Sequence, residues 1–285
     1  MNWKHTKTLL LILLAAVNIF LAFLATNFYS ENNFTNDNTA ASAAKILEKN
    51  GIVVDKAMLS ARNDSADVLL CNYDREQYLC AVAALLFGKE ADGIYRLPNG
   101  IRAETYEGAS ATIGYDLSLD YTSTELAGKG EVLRGITHSP EAGEVKAEKR
   151  MLETLLALPS GSLENAECIK AGVYTFITVD QVENGLPLFG MHCVFGIKEE
   201  KIVYANGKHL FCVPEEKYSA PILNRINILF SEKERGVTGT VKDITFCYTL
   251  YEDAKTDKMM LVPSYTVTYS NKNVTAINAL NKELY

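Results

Sequence analysis

The feature that most constrains this chain is an uncharged stretch near its N-terminus, from Thr8 to Ser30. The central part of the stretch is almost wholly apolar and is interrupted only by Asn18. An α-helix rises about 1.5 Å per residue, so a stretch of this length covers the roughly 30 Å hydrocarbon core of a bilayer. The sequence therefore predicts a membrane-spanning helix over residues 8–29.

The flanks of this helix predict its fate and its orientation. A cleaved signal peptide is the alternative, but its apolar region is normally about 7 to 15 residues long and ends in small residues. Here Thr26–Tyr29 instead carries aromatic side chains, which suit a membrane interface. Lys4 and Lys7 precede the helix and Glu31 follows it, so the positive-inside rule puts residues 1–7 in the cytoplasm. We therefore predict an uncleaved, single-pass anchor in the cell membrane, with the C-terminal part extracytoplasmic.

The composition of the whole chain limits the classes of function. The formal net charge of −7 and the absence of a Lys/Arg cluster argue against a nucleic-acid partner, because phosphate contacts need a basic surface. The six cysteines lie mostly in apolar segments, where a free thiol behaves as a small buried hydrophobic group. An oxidising location also permits disulfides, and the sequence leaves both possibilities open.

The spacing of apolar residues predicts an α+β fold, with antiparallel sheets that are each covered by a helix on one face. Residues 30–39 are polar and predict a stalk. Glycines and polar residues in 122–144 predict a boundary between two extracytoplasmic lobes, 40–135 and 145–285. Helices are predicted at 76–87 and 145–158, and strands at 100–106, 110–119, 173–179, 188–197, 201–213, 241–251 and 260–269.

Two details of this pattern make sharper predictions. Alternation in 241–251 predicts that Ile244, Phe246 and Tyr248 face a core and that Cys247 and Thr249 face away from it. The sequence Pro214-Glu215-Glu216 predicts the start of a helix, because proline and acidic residues suit the first helical turn.

The sequence contains no strong catalytic motif such as G-x-S-x-G, H-E-x-x-H or a Walker A loop. The cluster that deserves a zinc hypothesis is His192-Cys193 with His209 and Cys212. Adjacent residues of a strand point to opposite faces, so these four side chains are not expected to converge. We expect core cysteines and surface histidines here, no metal, no cofactor and no enzymatic activity.

Asn18 is the polar residue with the clearest functional interpretation. An amide at mid-membrane depth is costly to leave in lipid, and such residues commonly hydrogen-bond a partner helix. A single asparagine is also tolerated unpaired, since these bonds are worth only about 0.6 kcal/mol. The helix therefore predicts a helical partner in the membrane.

The N-terminus as a whole resembles that of the YycI proteins of Gram-positive bacteria. The resemblance covers nearly the whole chain in organisation and rests on these segments: Met1-Asn2-Trp3 with Lys4 and Lys7, Asn18-Ile19-Phe20-Leu21, Gly196-Ile197, Lys201–Ala205 and Leu261–Val267. This chain has Asn18 where that family usually has an aspartate, which keeps a polar contact and removes a charge.

The resemblance implies a YycH/YycI-type ectodomain with PepSY-like lobes. It also implies a regulator that restrains the sensor histidine kinase of a cell-wall two-component system, together with a YycH-like membrane protein. The partner-helix contacts would be Asn18, Phe20 and Leu21, with Trp3, Lys4 and Lys7 as the cytoplasmic flank.

Two other functions remain open from the sequence. The first is an anchored extracytoplasmic module, PepSY-like, that binds a peptide or inhibits a peptidase through the faces or edges of its sheets. The second is a cell-envelope enzyme that uses carboxylates or the His/Cys cluster in a site that no motif announces.

Overall fold

The structure is a computed structural model, and it describes residue 18 and residues 37–60, 65–71, 75–126, 145–158, 162–211, 214–253 and 258–284. The helices are α1 (Asp37–Lys49), α2 (Lys56–Leu59), α3 (Arg75–Phe87), α4 (Lys146–Leu155) and α5 (Arg225–Glu234). The strands are β1 (Ile52–Val53), β2 (Ser65–Cys71), β3 (Gly93–Leu97), β4 (Gly100–Glu104), β5 (Ser110–Gly114), β6 (Ser118–Thr122), β7 (Cys168–Ala171), β8 (Tyr174–Glu183), β9 (Leu186–Lys198), β10 (Lys201–Lys208), β11 (Glu216–Pro221), β12 (Gly239–Asp253), β13 (Lys258–Tyr269) and β14 (Val274–Asn278). The α+β class is therefore confirmed.

The chain divides into two compact units, and each combines stretches that are distant in sequence. The first unit contains residues up to Asp67, Ser219–Thr245 and Pro263–Tyr285, and the second contains Val68–Tyr218 and Phe246–Val262. The lobes expected from the sequence, 40–135 and 145–285, are consecutive and so differ from this division. The difference arises because strand pairs join residues from opposite ends of the chain.

The first unit is organised around such a long-range pair. Strand β1 runs parallel to the start of β12, with Ile52 opposite Gly239, and β13 pairs antiparallel with β14. Helix α2 begins at the N-cap Asp55, whose carboxylate accepts from the Ala57 N–H at 2.9 Å. Helix α5 begins at Asn224, whose side chain accepts from the Asn227 N–H. These caps satisfy N–H groups that a helix leaves unpaired at its start.

A buried carboxylate also belongs to the first unit. Glu232 is 0% exposed and accepts hydrogen bonds from the Thr275 hydroxyl at 2.9 Å and from the Tyr269 hydroxyl at 3.1 Å. The Arg235 guanidinium lies 3.3 Å away, and it also donates to the Lys282 carbonyl. Burial of a charge is tolerated when the charge is paired and hydrogen-bonded, as it is here. Together, these bonds join α5 to the C-terminal strands.

The second unit contains a continuous series of paired strands, in the order β2, β13, β12, β9, β10, β6, β5, β4 and β3. Strand β8 also pairs with β9 and carries β7 on its other edge. Helix α3 covers one face of this sheet through its apolar side, chiefly Leu79, Val82 and Leu86. Leu152 of α4 is also fully buried in this core. Both helices lie where their apolar spacing predicts them.

The expectation of purely antiparallel sheets is wrong at two places. The β1–β12 pair is parallel, and so is the contact between β12 and β9, where Tyr248 lies opposite Leu188. The expectation of a one-sided β12 is also wrong, because Cys247 and Thr249 are buried as well as Tyr248. Strand β12 lies between β13 and β9, and a central strand is commonly covered on both faces.

Two element boundaries also differ from expectation. Residues Pro214-Glu215-Glu216 do not start a helix; β11 begins at Glu216, and the next helix starts after Asn224. The Glu215 N–H donates to the Leu70 carbonyl, so pairing with β2 overrides the local helix signal. The single strand expected over 110–119 is two strands, β5 and β6, because the chain turns at Leu117 with φ +64°.

Two hairpins of the second unit are closed by two-residue turns with left-handed backbone. The β8–β9 turn is Asn184-Gly185, with φ of +48° and +77°, and the β9–β10 turn is Glu199-Glu200, with φ of +49° and +58°. Asparagine and glycine adopt this conformation readily, whereas glutamate adopts it at a cost of about 1–2 kcal/mol per residue. The strands predicted at 188–197 and 201–213 leave Glu199-Glu200 as their connection, and the structure has the turn there, although it is built from unfavourable residues.

Candidate functional site

The residues expected to contact a membrane partner lie almost entirely outside the described part of the chain. Trp3, Lys4, Lys7, Phe20 and Leu21 are not described, and Asn18 is described as helical with an exposed side chain. Among the helices that are described, none combines the length and the apolar character needed to span a membrane. The predicted anchor at 8–29 remains a prediction.

The His/Cys cluster considered for zinc does not form a ligand set in the described residues. His192 is exposed and its Nδ1 lies 2.6 Å from the Asp180 carboxylate, whereas Cys193 is fully buried. This confirms that the two adjacent side chains point to opposite faces of β9. Cys212 lies outside the described residues, and no described group of three or more His, Cys, Asp or Glu residues could hold a metal ion.

His209 is not the surface residue that the sequence suggests. Its side chain is 1% exposed and lies between the rings of Phe195 and Phe211, with centroid distances of 5.6 and 4.7 Å. Neither ring nitrogen has a hydrogen-bond partner among the described residues. Burial lowers the pKa of His209 to about 4, because the charged imidazolium would lose its hydration. The ring is therefore neutral at pH 7 and acts as an aromatic packing group.

The strongest candidate for a binding site is a cavity of about 510 Å³ in the second unit, which we call the β8 cleft. Its volume lies in the range of about 300–1,000 Å³ that is typical of ligand pockets. It is bounded by the end of α4, the segment 162–163, the last part of β8 with its turn, and the segment 210–211. The side chains that make its lining partly apolar are Leu156, Leu158, Leu163, Val179, Val182, Leu210 and Phe211.

One wall of the β8 cleft is held in place by charged side chains of α4. The buried carboxylate of Glu153 accepts from the Leu163 N–H at 3.0 Å. The Lys149 ammonium donates to the carbonyls of Glu164 and Ala166, at 2.9 and 3.2 Å. The loop that carries Leu163 is thus anchored to the helix at three points. Such anchoring favours a pre-formed cavity.

The opposite wall is held by an unusual side-chain pairing. The Gln181 amide donates to the Leu210 carbonyl at 2.8 Å and accepts from the Leu210 N–H at 2.9 Å, so it satisfies both backbone groups of that residue. The Phe211 N–H donates to the Tyr78 hydroxyl of α3 at 3.0 Å. Because these groups are buried or partly buried, loss of any one partner would leave an unsatisfied polar group.

The cleft runs along the edge of a strand. Residues Val179 to Glu183 all line it. Alternate side chains of a strand point to opposite faces, so a cavity that touches five consecutive residues reaches around the side of the strand; within this stretch the pairing with β9 shifts register between Asp180 and Val182. Strand β7 pairs with β8 only as far as Ile177, and among the described strands none pairs with Val179–Glu183 on the side away from β9. The described strands therefore leave this edge of β8 unpaired along the cleft.

The charged side chains that line the cleft are both acidic, Asp180 and Glu183. The Asp180 carboxylate is already paired with His192. Burial raises the pKa of the Glu183 carboxyl above its usual value, although the Asn184 N–H opposes the shift by hydrogen bonding. No ion pair joins Glu183 to a described lysine, arginine or histidine. The cleft thus combines an apolar lining with one carboxylate that lacks a counter-charge among those residues.

Comparisons with known proteins leave the family of this chain open. No family model matches the chain, and no curated protein matches it. Solved structures with a similar arrangement include an uncharacterized protein from Eubacterium rectale, at 14% identity and a TM-score of 0.38, covering 82% of this chain and 90% of that one. They also include the Bacillus megaterium YpeB C-terminal domain, at 10% identity and a TM-score of 0.29, covering 89% of this chain and 98% of that one. With TM-scores below 0.5, neither similarity assigns a fold family.

Sequence reasoning missed the β8 cleft because its parts carry no common motif. One signal was available: Asn184-Gly185 is a strong hairpin turn, and it predicts that β8 extends to Glu183. Glu153 gives a second signal, because it lies next to Leu152 on the apolar side of the predicted helix, and an acid there needs a hydrogen-bonding partner. Neither signal reveals where the partner lies.

Proposed function

We propose that this chain is a non-enzymatic binding module of the cell envelope, held at the membrane by residues 8–29, and that the β8 cleft is its binding site. The observation that carries the proposal is a partly apolar cavity alongside an exposed strand edge. Strand edges and apolar pockets together suit recognition of a protein segment. The same cavity offers poor support for catalysis, because its described lining contains no histidine, cysteine or lysine to pair with a nucleophile.

Site-directed photocrosslinking in native membranes tests this proposal. A photoreactive amino acid at Val182, which is half exposed at the rim of the cleft, should form a defined protein adduct. Ser162→Trp should abolish the adduct, because the indole would occupy the cleft from an exposed lining position. Ser270→Trp is the matched control at an exposed site in the first unit and should leave the adduct unchanged. An adduct that is insensitive to Ser162→Trp would exclude the cleft as the binding site.

A second function is favoured by the intramembrane Asn18 and by the resemblance of the N-terminus to YycI proteins. In this proposal the chain restrains a sensor histidine kinase, together with a YycH-like membrane protein, through contacts of Asn18, Phe20 and Leu21. Replacement of residues 8–29 by an unrelated apolar helix should then abolish regulation of the kinase. Regulation that survives the replacement would refute contacts through the helix, and crosslinking from position 18 would identify the helical partner.

A further inference from the structure

The exposed edge of β8 has the length and the position for one additional strand. Residues Val179–Glu183 rise about 3.3 Å each, so the edge offers roughly 17 Å of backbone, enough to pair with about five residues of an extended chain. The edge is bordered by the apolar residues of the cleft, including Leu158, Leu163 and Phe211. A peptide on this edge would therefore gain backbone hydrogen bonds and also place side chains into an apolar cavity.

The side chains of β8 alternate between two faces, and this alternation predicts which residues of an added strand would face the cavity. Val179 and Gln181 are buried, whereas Asp180 and Val182 are exposed, so the odd-numbered residues face the protein. Glu183 continues that series and is half buried at the end of the strand. In an added strand, alternate residues would likewise face the cavity. Of two such residues, which lie two positions apart in the sequence, the first would lie near the apolar lining and the second near Glu183.

The charge of the cleft selects among possible side chains at the second of these positions. The charged residues of the described lining are both acidic; Asp180 is paired with His192, whereas Glu183 forms no ion pair with a described lysine, arginine or histidine. A partly buried carboxylate without a counter-charge is stabilised by an incoming cation, and charge-assisted hydrogen bonds are among the stronger ones in proteins. Lysine or arginine fits this position, whereas an acidic residue would be repelled.

We infer that the β8 cleft binds an extended peptide segment that adds as a strand to the edge of β8 and carries an aliphatic residue and a lysine or arginine two positions apart. The aliphatic side chain occupies the cavity near Leu163, and the basic side chain pairs with Glu183. This inference rests on the proposed binding function and specifies the partner chemistry of the same site.

Synthetic nonapeptides test the inference by fluorescence anisotropy with the purified full chain in detergent micelles. The peptides share a Ser/Thr background and carry Leu-x-Lys, the adjacent pair Leu-Lys, or Leu-x-Glu at the centre. The chain should bind the Leu-x-Lys peptide, and the other two should bind at least tenfold more weakly. N-methylation of alternate backbone amides in the Leu-x-Lys peptide should also weaken binding, because strand addition depends on backbone donors.

Variants of the chain test the role of Glu183. Glu183→Gln preserves the shape and removes the charge, and it should weaken Leu-x-Lys binding about tenfold, the equivalent of about 1.4 kcal/mol. Glu183→Lys should reverse the preference towards Leu-x-Glu. Glu234→Gln is the matched control at an exposed position of the first unit and should have no effect. Equal binding of the three peptides, or an unchanged preference in Glu183→Lys, would overturn the inference.

Together, the peptide and photocrosslinking experiments distinguish a failure of the peptide inference from a failure of the proposed function. If the Val182 adduct forms and is lost in Ser162→Trp, but none of the peptides binds, the peptide inference is wrong while the cleft remains the binding site. If the adduct is insensitive to Ser162→Trp, the proposed function and the inference both fail.

Discussion

The burial of His209 predicts a specific dependence of stability on pH. Its ring is neutral in the folded protein down to a pKa of about 4, whereas an exposed histidine has a pKa of 6.5. Between these values the unfolded chain binds a proton that the folded chain does not, so the free energy of unfolding falls as the pH decreases. The full contribution is present above pH 6.5, and it is lost progressively as the pH falls towards 4. One pKa unit corresponds to about 1.4 kcal/mol, so the total loss is about 3 kcal/mol.

His209→Leu should remove this dependence. Leucine cannot bind a proton, and it eliminates two buried nitrogen atoms that have no partner in the described part of the chain. At pH 7 two effects nearly cancel, because relief of the unsatisfied groups gains about 1–3 kcal/mol and the lost contacts with Phe195 and Phe211 cost about 0.5–1.5 kcal/mol each. The difference in free energy of unfolding between His209→Leu and the wild type should therefore be about 3 kcal/mol more favourable to the variant at pH 4 than at pH 7.

Urea unfolding of the full chain, followed by circular dichroism and by hydrogen exchange of the β9 amides, provides the measurement at pH 7, 5.5 and 4. Carboxylates that titrate in this range are common to both proteins, so the difference between wild type and variant isolates His209. His192→Leu, at an exposed position, is the control. Relative to the wild type, its free energy of unfolding should not rise at low pH as that of His209→Leu does. Equal pH dependence in the wild type and in His209→Leu would show that the folded state accepts the proton and would refute the argument.

Three further predictions concern stability. Replacement of Glu199-Glu200 by Asn-Gly should raise the free energy of unfolding by about 1–2 kcal/mol, because glutamate in left-handed backbone is strained. The reverse change in the β8–β9 turn, from Asn184-Gly185 to Glu-Glu, should lower the free energy of unfolding by a similar amount. Glu232→Ala should destabilise the first unit by about 3 kcal/mol because it removes the acceptor of two hydroxyls and the ion pair with Arg235, and unchanged protease resistance would contradict this. Ala157→Gly should stabilise the protein by about 1 kcal/mol, because this residue ends α4 with φ +52°; an unchanged or lower urea midpoint would exclude that strain.

The parts of the fold that could be predicted depend on local sequence. Helices α3 and α4 and the buried face of β9 follow from apolar residues at regular spacing, for example Leu79 and Val82 on α3. The pairing of β1 with β12 could not be predicted, because β1 has only two residues and its partner is far away in sequence. Strand β11 was predicted as a helix because Pro214 and its acidic neighbours satisfy the local rules for a helix start.

The candidate site was less predictable than the fold for a physical reason. The β8 cleft exists because β7 begins at Cys168, opposite Ile177, and so does not reach the last part of β8. The chain that follows α4 forms the other side of the cleft beside β8. Neither event depends on a catalytic or metal-binding residue type. Glu183 is one of many acidic residues in the sequence, and its partial burial becomes evident only from the fold. The predicted roles of Asn18, Phe20 and Leu21 belong to residues 8–29, of which the structure describes residue 18.

The composition of the first unit has a consequence for how the protein is made. The chain is synthesised from its N-terminus, so β1 is made early, whereas the start of β12 and the strands β13 and β14 are made late. The first unit therefore cannot close until synthesis is almost complete, and until then β1 and α1 remain without their partners. Loss of even the last strand would leave the earliest part of this unit unable to complete its fold, so a C-terminal truncation would appear as a defect of the N-terminal region.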